Sequence, residues 1–209
     1  MYLPVATGPA TYHSGAQQTN YVATGNHAGN VSAAAYTTTA TSWYFLDGVD
    51  VSNAQAPGSI VAFGDSITDG AASQVGANDR WPNFLARRLD AALGANAPSV
   101  VDEGIGGNRV LNDSACFGVN ALARFSRDVL SQTGVKDVIL LEGINDIGFS
   151  QEPNTGCFAP NTNVSATQIE RGYEQIISQA HAAGLKIFGG TLTPFKGAAY
   201  WSPAAEAKR

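Results

Sequence analysis

Gly64, Asp65 and Ser66 follow directly on a short apolar run, SIVAF at 59–63. A serine hydroxyl at the end of a buried strand is a candidate nucleophile for acyl transfer. It needs hydrogen-bond donors nearby for the charge that builds on a carbonyl oxygen. Two more polar, glycine-rich stretches offer such donors: GIGGN at 104–108, with the backbone N–H of Gly107, and GIND at 143–146, with the amide of Asn145. Singly, each has a plainer explanation. Ser66 caps a turn, Asn145 bonds its own backbone, and Gly107 sits where a positive φ or a close approach is needed. Together, a hydroxyl, an unobstructed N–H and a side-chain amide on one edge are the set that acyl transfer requires.

The elements that must bring these residues together read as alternating strands and helices. The run at 59–63 has the continuous apolar character of a strand buried on both faces. Residues 80–93 place Trp81, Phe84, Leu85, Leu89 and Leu93 on one helical stripe, and Gly94 ends it. A short strand is expected at 99–102, then a helix at 120–130 burying Leu122, Phe125 and Val129, then a third strand at 137–141. Ser165 and Gln168 form a capping box, opening a helix with Ile169, Tyr173, Ile176, Ile177 and Ala180 on its inner face. Gly184 closes that helix, 185–191 reads as a fourth strand, and no further helix is expected to cover it. This alternation predicts a parallel sheet with helices on both faces. Ligands bind such a sheet at the carboxyl ends of its strands. Loops 64–70, 104–108 and 143–146 should all open there.

Three blocks in order, each just after an expected strand, resemble the GDSL/SGNH hydrolase superfamily over about 59–194. They stand as Gly64-Asp65-Ser66-Ile67-Thr68, Gly104-Ile105-Gly106-Gly107-Asn108-Arg109 and Gly143-Ile144-Asn145-Asp146. The resemblance implies a three-layer α/β/α, flavodoxin-like domain over 57–209 and a serine-dependent carboxylic ester hydrolase of the esterase/lipase kind. Ser66 would be the nucleophile, with the Ser66 N–H, the Gly107 N–H and the Asn145 amide forming the oxyanion hole. Asp65 and Asp146 would be supporting residues that fix the loops. An acyl-enzyme would form on Ser66 and be released by water, with no metal or organic cofactor.

The family's general base is a histidine in an Asp-x-x-His block after a fifth strand. His13, His27 and His181 have Ala10, Thr24 and Ser178 at the aspartate's spacing. His181 reads as a helix C-terminal histidine favoured by the dipole. The general base is therefore unassigned, and the domain is expected to be incomplete at its C-terminus, its histidine carried by a separate fragment. The alternative is a non-catalytic, ligand-binding remnant of a hydrolase. The loops after Gly70 and Asn108 carry few large aromatics, which favours short-chain acyl or acetyl esters, acetylated carbohydrate among them.

Residues 1–56 form an N-terminal extension or the end of a β-rich accessory module, with β-prone pieces at 20–23 and 42–46. Residues 2–30 also resemble the linker that follows such a module in larger secreted members. The net charge of −5 and only 12 Lys+Arg leave no basic track for a phosphate backbone. No apolar stretch is long enough to cross a bilayer, and residues 1–9 are not a signal peptide. Charged residues make up 14%, against about 25% in typical domains, a composition resembling secreted bacterial enzymes. Cys116 and Cys157 are a disulfide or two buried thiols, and too few for a metal site. They lie downstream of the second and third edge loops, so a bridge between them is geometrically sensible.

Overall fold

The structure is a computed structural model that describes residues 1–53 and 55–209. By its contacts the chain divides into two compact units, Met1–Ser52 with Ala71–Asp79, and Asn53–Gly70 with Arg80–Arg209. The first holds four short strands: β1 (Tyr12–His13), β2 (Asn20–Val22), β3 (Thr38–Ala40) and β4 (Trp43–Tyr44). They form two nested antiparallel pairs, β1 with β4 and β2 with β3. Tyr, Thr, Val and Trp favour the pleated surface, while the Gly- and Asn-rich chain between them turns. Each β-prone piece expected from the sequence contains one of these strands, β2 within 20–23 and β4 within 42–46. Residues 71–79 join this unit, with the Gly76 N–H donating to the Gln17 carbonyl at 2.9 Å.

The second unit carries β5 (Ser59–Gly64), α1 (Ser66–Asp69), α2 (Trp81–Leu93), β6 (Ser99–Gly104), α3 (Ala121–Phe125), β7 (Val135–Leu141), α4 (Ile144–Gly148), α5 (Ala166–Ala182), β8 (Lys186–Gly189) and α6 (Pro203–Lys208). All sheet pairings are parallel, in the order β6-β5-β7-β8. β5, the first strand of this unit, is thus interior, as in flavodoxin-like sheets. The connections reverse direction after β6, and because parallel crossovers are right-handed this sets α2, which packs on β6, on one face and α3 with α5 on the other. The three-layer α/β/α architecture expected from the sequence is the one observed. Val61, Phe63, Val138 and Leu140 of the central strands pack with Phe125, Val129, Ile169, Ile176 and Ala180. Burying a side chain of this size contributes about 1.5–3 kcal/mol.

Three local expectations change. The stripe on α2 is only partly covered: Phe84 is 52% and Leu93 47% exposed. α2 packs on β6, an edge strand, so the outer part of its stripe overhangs the sheet. The helix expected at 120–130 is α-helical only to Phe125, and Ser126–Leu130 winds as a π turn, with the Ser131 N–H on the Ser126 carbonyl. A helix does follow the fourth strand. Ser202 caps α6, Pro203 starts it, and Ala205 is buried. It packs against α4 rather than over β8, whose Phe188 stays 55% exposed.

Candidate active site

The end of β5 delivers Ser66. Asp65 is the N-cap of α1, its Oδ1 accepting from the Ile67 N–H at 2.9 Å, so the serine begins the turn with its side chain half-buried. The turn closes on Gly70 and lies directly on the end of β6. A Cβ at Gly104 would fall 2.1 Å from the Asp69 nitrogen, so only glycine allows this approach. A Cβ at Gly106 would lie 3.9 Å from the Cβ of Ser66. The first and second loops therefore meet at the serine.

Gly107 has φ +77°, and a Cβ there would strike the Phe117 ring at 2.4 Å. Its conformation and its packing both exclude any side chain. Asn108 holds the far side of this loop, its amide donating to the Phe117 and Val119 carbonyls, both at 2.8 Å. The third loop reaches the second through Asn145, whose Nδ2 donates to the Asn108 carbonyl at 2.8 Å. A primary amide has two N–H groups, so the second stays available in addition to this tether. Asp146 accepts from the N–H groups of Val110 and Leu111, at 2.7 and 3.0 Å, and pins the same two loops together. The structure thus gathers Ser66, Gly107 and Asn145 on one rim, with Asp65 and Asp146 inside the loops that carry them.

The ground beneath this rim is a set of buried charges, in which sequence reading named Asp65 and Asp146 but missed Arg124, Asp128 and Glu142. Arg124 is fully buried and spans three strand ends. It donates to the carbonyls of Gly64 (2.8 Å) and Glu103 (2.9 Å), to the Asn108 side-chain oxygen (2.9 Å) and to Asp128 (3.1 Å), with Glu142 at 3.5 Å. No local signal marked it, since an arginine next to an apolar residue on a helix is ordinarily solvated and is fully buried only when it is paired. Burial pushes the Asp65 carboxyl up to about 7, the charge of Asp146 adding to it while the Ile67 N–H and Arg124 oppose it. Asp146 is raised to about 6 by burial, against the Val110 and Leu111 N–H groups and Arg109. Glu142 is raised well above the carboxylate range, by burial first and then by the charge of Asp65. Asp65 Oδ2 and Glu142 Oε1 have no hydrogen-bond partner among the described residues.

Cys116 and Cys157 are bridged, with Cα atoms 5.1 Å apart. The bridge joins the loops after Asn108 and after α4, and Ser114 Oγ donates to the Cys157 carbonyl beside it. It draws together Phe117, Phe149 and Phe158, whose ring centroids lie 5.0–6.4 Å apart. Of the three rings only Phe117 belongs to the loop after Asn108; Phe149 and Phe158 come from residues remote in sequence, so the surface beside Gly107 is more aromatic than that loop's own residues indicate. Of the histidines, His181 lies in the last turn of α5. That helix runs antiparallel to the strands, so the residue sits at the rim opposite Ser66. His13 and His27 belong to the first unit. The described residues hold no cluster of His, Cys, Asp or Glu fit for a metal ion, and no described helix is long and apolar enough to cross a membrane.

The model of the GDSL-like Lipase/Acylhydrolase family matches residues 62–209. Among solved structures, a mutant of the esterase AlinE4 is similar at TM-score 0.52 and 18% identity, over 75% of this chain and 70% of that one. A G-D-S-L family protein from Desulfitobacterium hafniense DCB-2 is similar at TM-score 0.49 and 18% identity, over 72% and 67%. An acetyl xylan esterase, AlAXEase, is similar at TM-score 0.45 and 23% identity, over 63% and 56%. At 18% identity the likeness to the AlinE4 mutant is one of fold, and the chain spans 56–70% of the length of these structures. No curated protein matches the sequence.

Proposed function

The chain belongs to the GDSL-like lipase/acylhydrolase family, and from that premise we propose that it hydrolyses carboxylic esters of short acyl groups through an acyl-enzyme on Ser66. Ser66 Oγ attacks the ester carbonyl carbon as its proton passes to a base. The carbonyl oxygen becomes an anion held by the Ser66 N–H, the Gly107 N–H and the free N–H of the Asn145 amide. Collapse expels the alcohol, which takes up the proton. Water then repeats the sequence on the acyl-serine and releases the acid. Asp65 and Asp146 work by holding loops, one through the Ile67 N–H and the other through Val110 and Leu111.

The observation that carries this reading is the meeting of three separate loops around one serine. Gly106 stands against the Ser66 side chain, and the Asn145 amide lies 2.8 Å from the carbonyl next to Gly107. Phe117 against Gly107 narrows that side of the rim and favours small acyl groups, acetyl esters of carbohydrate among them. A bridged cysteine pair suits an oxidising compartment, in keeping with a secreted enzyme. None of the three histidines follows an aspartate at the family's spacing, and His181 is on the opposite rim. The roles assigned to this chain are therefore the nucleophile and the oxyanion donors.

The test is hydrolysis of p-nitrophenyl acetate by the wild type and by Ser66→Ala, with an intact-mass spectrum of the active preparation. The reading expects turnover that Ser66→Ala abolishes. A copurifying polypeptide bearing Asp-x-x-His would identify the base. Equal rates in the two proteins would remove Ser66 from the mechanism. Ligand binding with no turnover would support the non-catalytic alternative instead.

A further inference from the structure

We propose that Arg124 is a positioning residue that sets the distance from the nucleophile to the Gly107 and Asn145 oxyanion donors; the assignment rests on the esterase reading above. Each guanidinium N–H has an acceptor: one of the five is an oxygen at the root of the first loop, two are oxygens at the two ends of the second, and two are carboxylates, of which Glu142 stands at the root of the third. Gly64, at 2.8 Å from Nη2, stands two residues before Ser66. Asn108, whose side-chain oxygen is 2.9 Å from Nε, is the residue after Gly107. Glu103, whose carbonyl is 2.9 Å from Nη1, is the last residue but one of the strand that feeds the second loop. Glu142, 3.5 Å from Nη2, stands three residues before Asn145. One planar group therefore touches the roots of all three loops.

The guanidinium is rigid, and its donors leave in fixed directions. It acts as a template for the spacing of the acceptors, which a flexible point charge of the same sign would not. The template is itself held in place. The guanidinium carbon lies over the Phe63 ring, 4.1 Å from its centroid, and Asp128, one turn further along the chain, pairs with Nη1 at 3.1 Å. A residue serving only to neutralise buried acids would need its two carboxylate contacts and not the three loop oxygens. The loop contacts point to alignment, because loops displaced by about 1 Å lose on the order of a hundredfold in rate.

The experiment compares Arg124→Lys with Asp128→Asn in the full chain. Lysine keeps the charge and loses the fork; Asp128→Asn removes the charge but keeps an oxygen that can accept from Nη1, so the arginine stays held and the three loop contacts remain. With p-nitrophenyl acetate, Arg124→Lys should lose at least tenfold in kcat with KM within about twofold. Its affinity for an alkyl boronic acid, which forms a tetrahedral anion in the oxyanion site, should fall by a similar factor. Asp128→Asn should be less stable and keep a near wild-type kcat. Should Arg124→Lys not fold, Asn108→Ser cuts the second-loop tether in a chain that retains Arg124, and it should show the same split between kcat and KM. Unchanged kcat in Arg124→Lys, or equal losses in both primary variants, overturns the assignment while leaving the esterase reading in place. A wild type without Ser66-dependent turnover fails the esterase reading itself, and the positioning role falls with it.

Discussion

Replacing Asp65 by asparagine should make the protein more stable at neutral and alkaline pH. Asp65 is fully buried, and its carboxyl is raised from 3.8 to about 7. Between those values the folded chain holds a proton that the unfolded chain has released. Stability from this group is complete below about pH 4 and declines as pH rises to about 7. At about 1.4 kcal/mol per pH unit, the decline amounts to about 4 kcal/mol. Asparagine stays neutral throughout, and its oxygen can still accept from the Ile67 N–H. Its NH₂ takes the place of Oδ2, which has no partner among the described residues, and an unsatisfied donor there costs about 1–3 kcal/mol. The net gain at pH 8 should be about 1–3 kcal/mol, vanishing or reversing near pH 4. Urea unfolding of wild type and Asp65→Asn, followed by helical circular dichroism from pH 4 to 9, measures it. Asp146 and Glu142 are raised too, so the mutant curve should be flatter rather than flat. Parallel curves for the two proteins would show that Asp65 does not hold the proton.

Asn145→Ala should lower kcat by about a hundredfold, the equivalent of about 3 kcal/mol of barrier for one oxyanion donor. Losing the bond to the Asn108 carbonyl should also cost about 1 kcal/mol of stability, read by steady-state kinetics beside urea unfolding. Gly107→Ala should destabilise by about 1–3 kcal/mol and reduce activity, since its φ is +77° and the methyl would meet Phe117 at 2.4 Å; thermal unfolding tests this. Reduction of Cys116–Cys157 releases a closure of 41 residues, worth about 4 kcal/mol in the chain-entropy treatment. A drop of that order in unfolding free energy with reductant is expected.

The sequence carried the architecture because its evidence is local. SIVAF at 59–63 and DVILL at 137–141 mark buried strands, and the Ser165 and Gln168 cap forms as its spacing requires. The parallel sheet then sends each following loop to the same edge, which brings Ser66, Gly107 and Asn145 to one rim. The sequence could also say that no histidine follows an aspartate at the family's spacing, since that is a matter of identity and order. What it could not say depends on contacts between distant residues. Arg124 reads as an ordinary charge on an amphipathic helix until the crossover lays that helix over three strand ends. Phe149 and Phe158 join Phe117 beside Gly107 through a disulfide that closes 41 residues. The raised carboxyls of Asp65, Glu142 and Asp146 exist only because the fold removes water from all three at once. Periodicity and turn chemistry act over a few residues and are written in the chain. Burial and electrostatics are sums over neighbours that only the tertiary structure supplies.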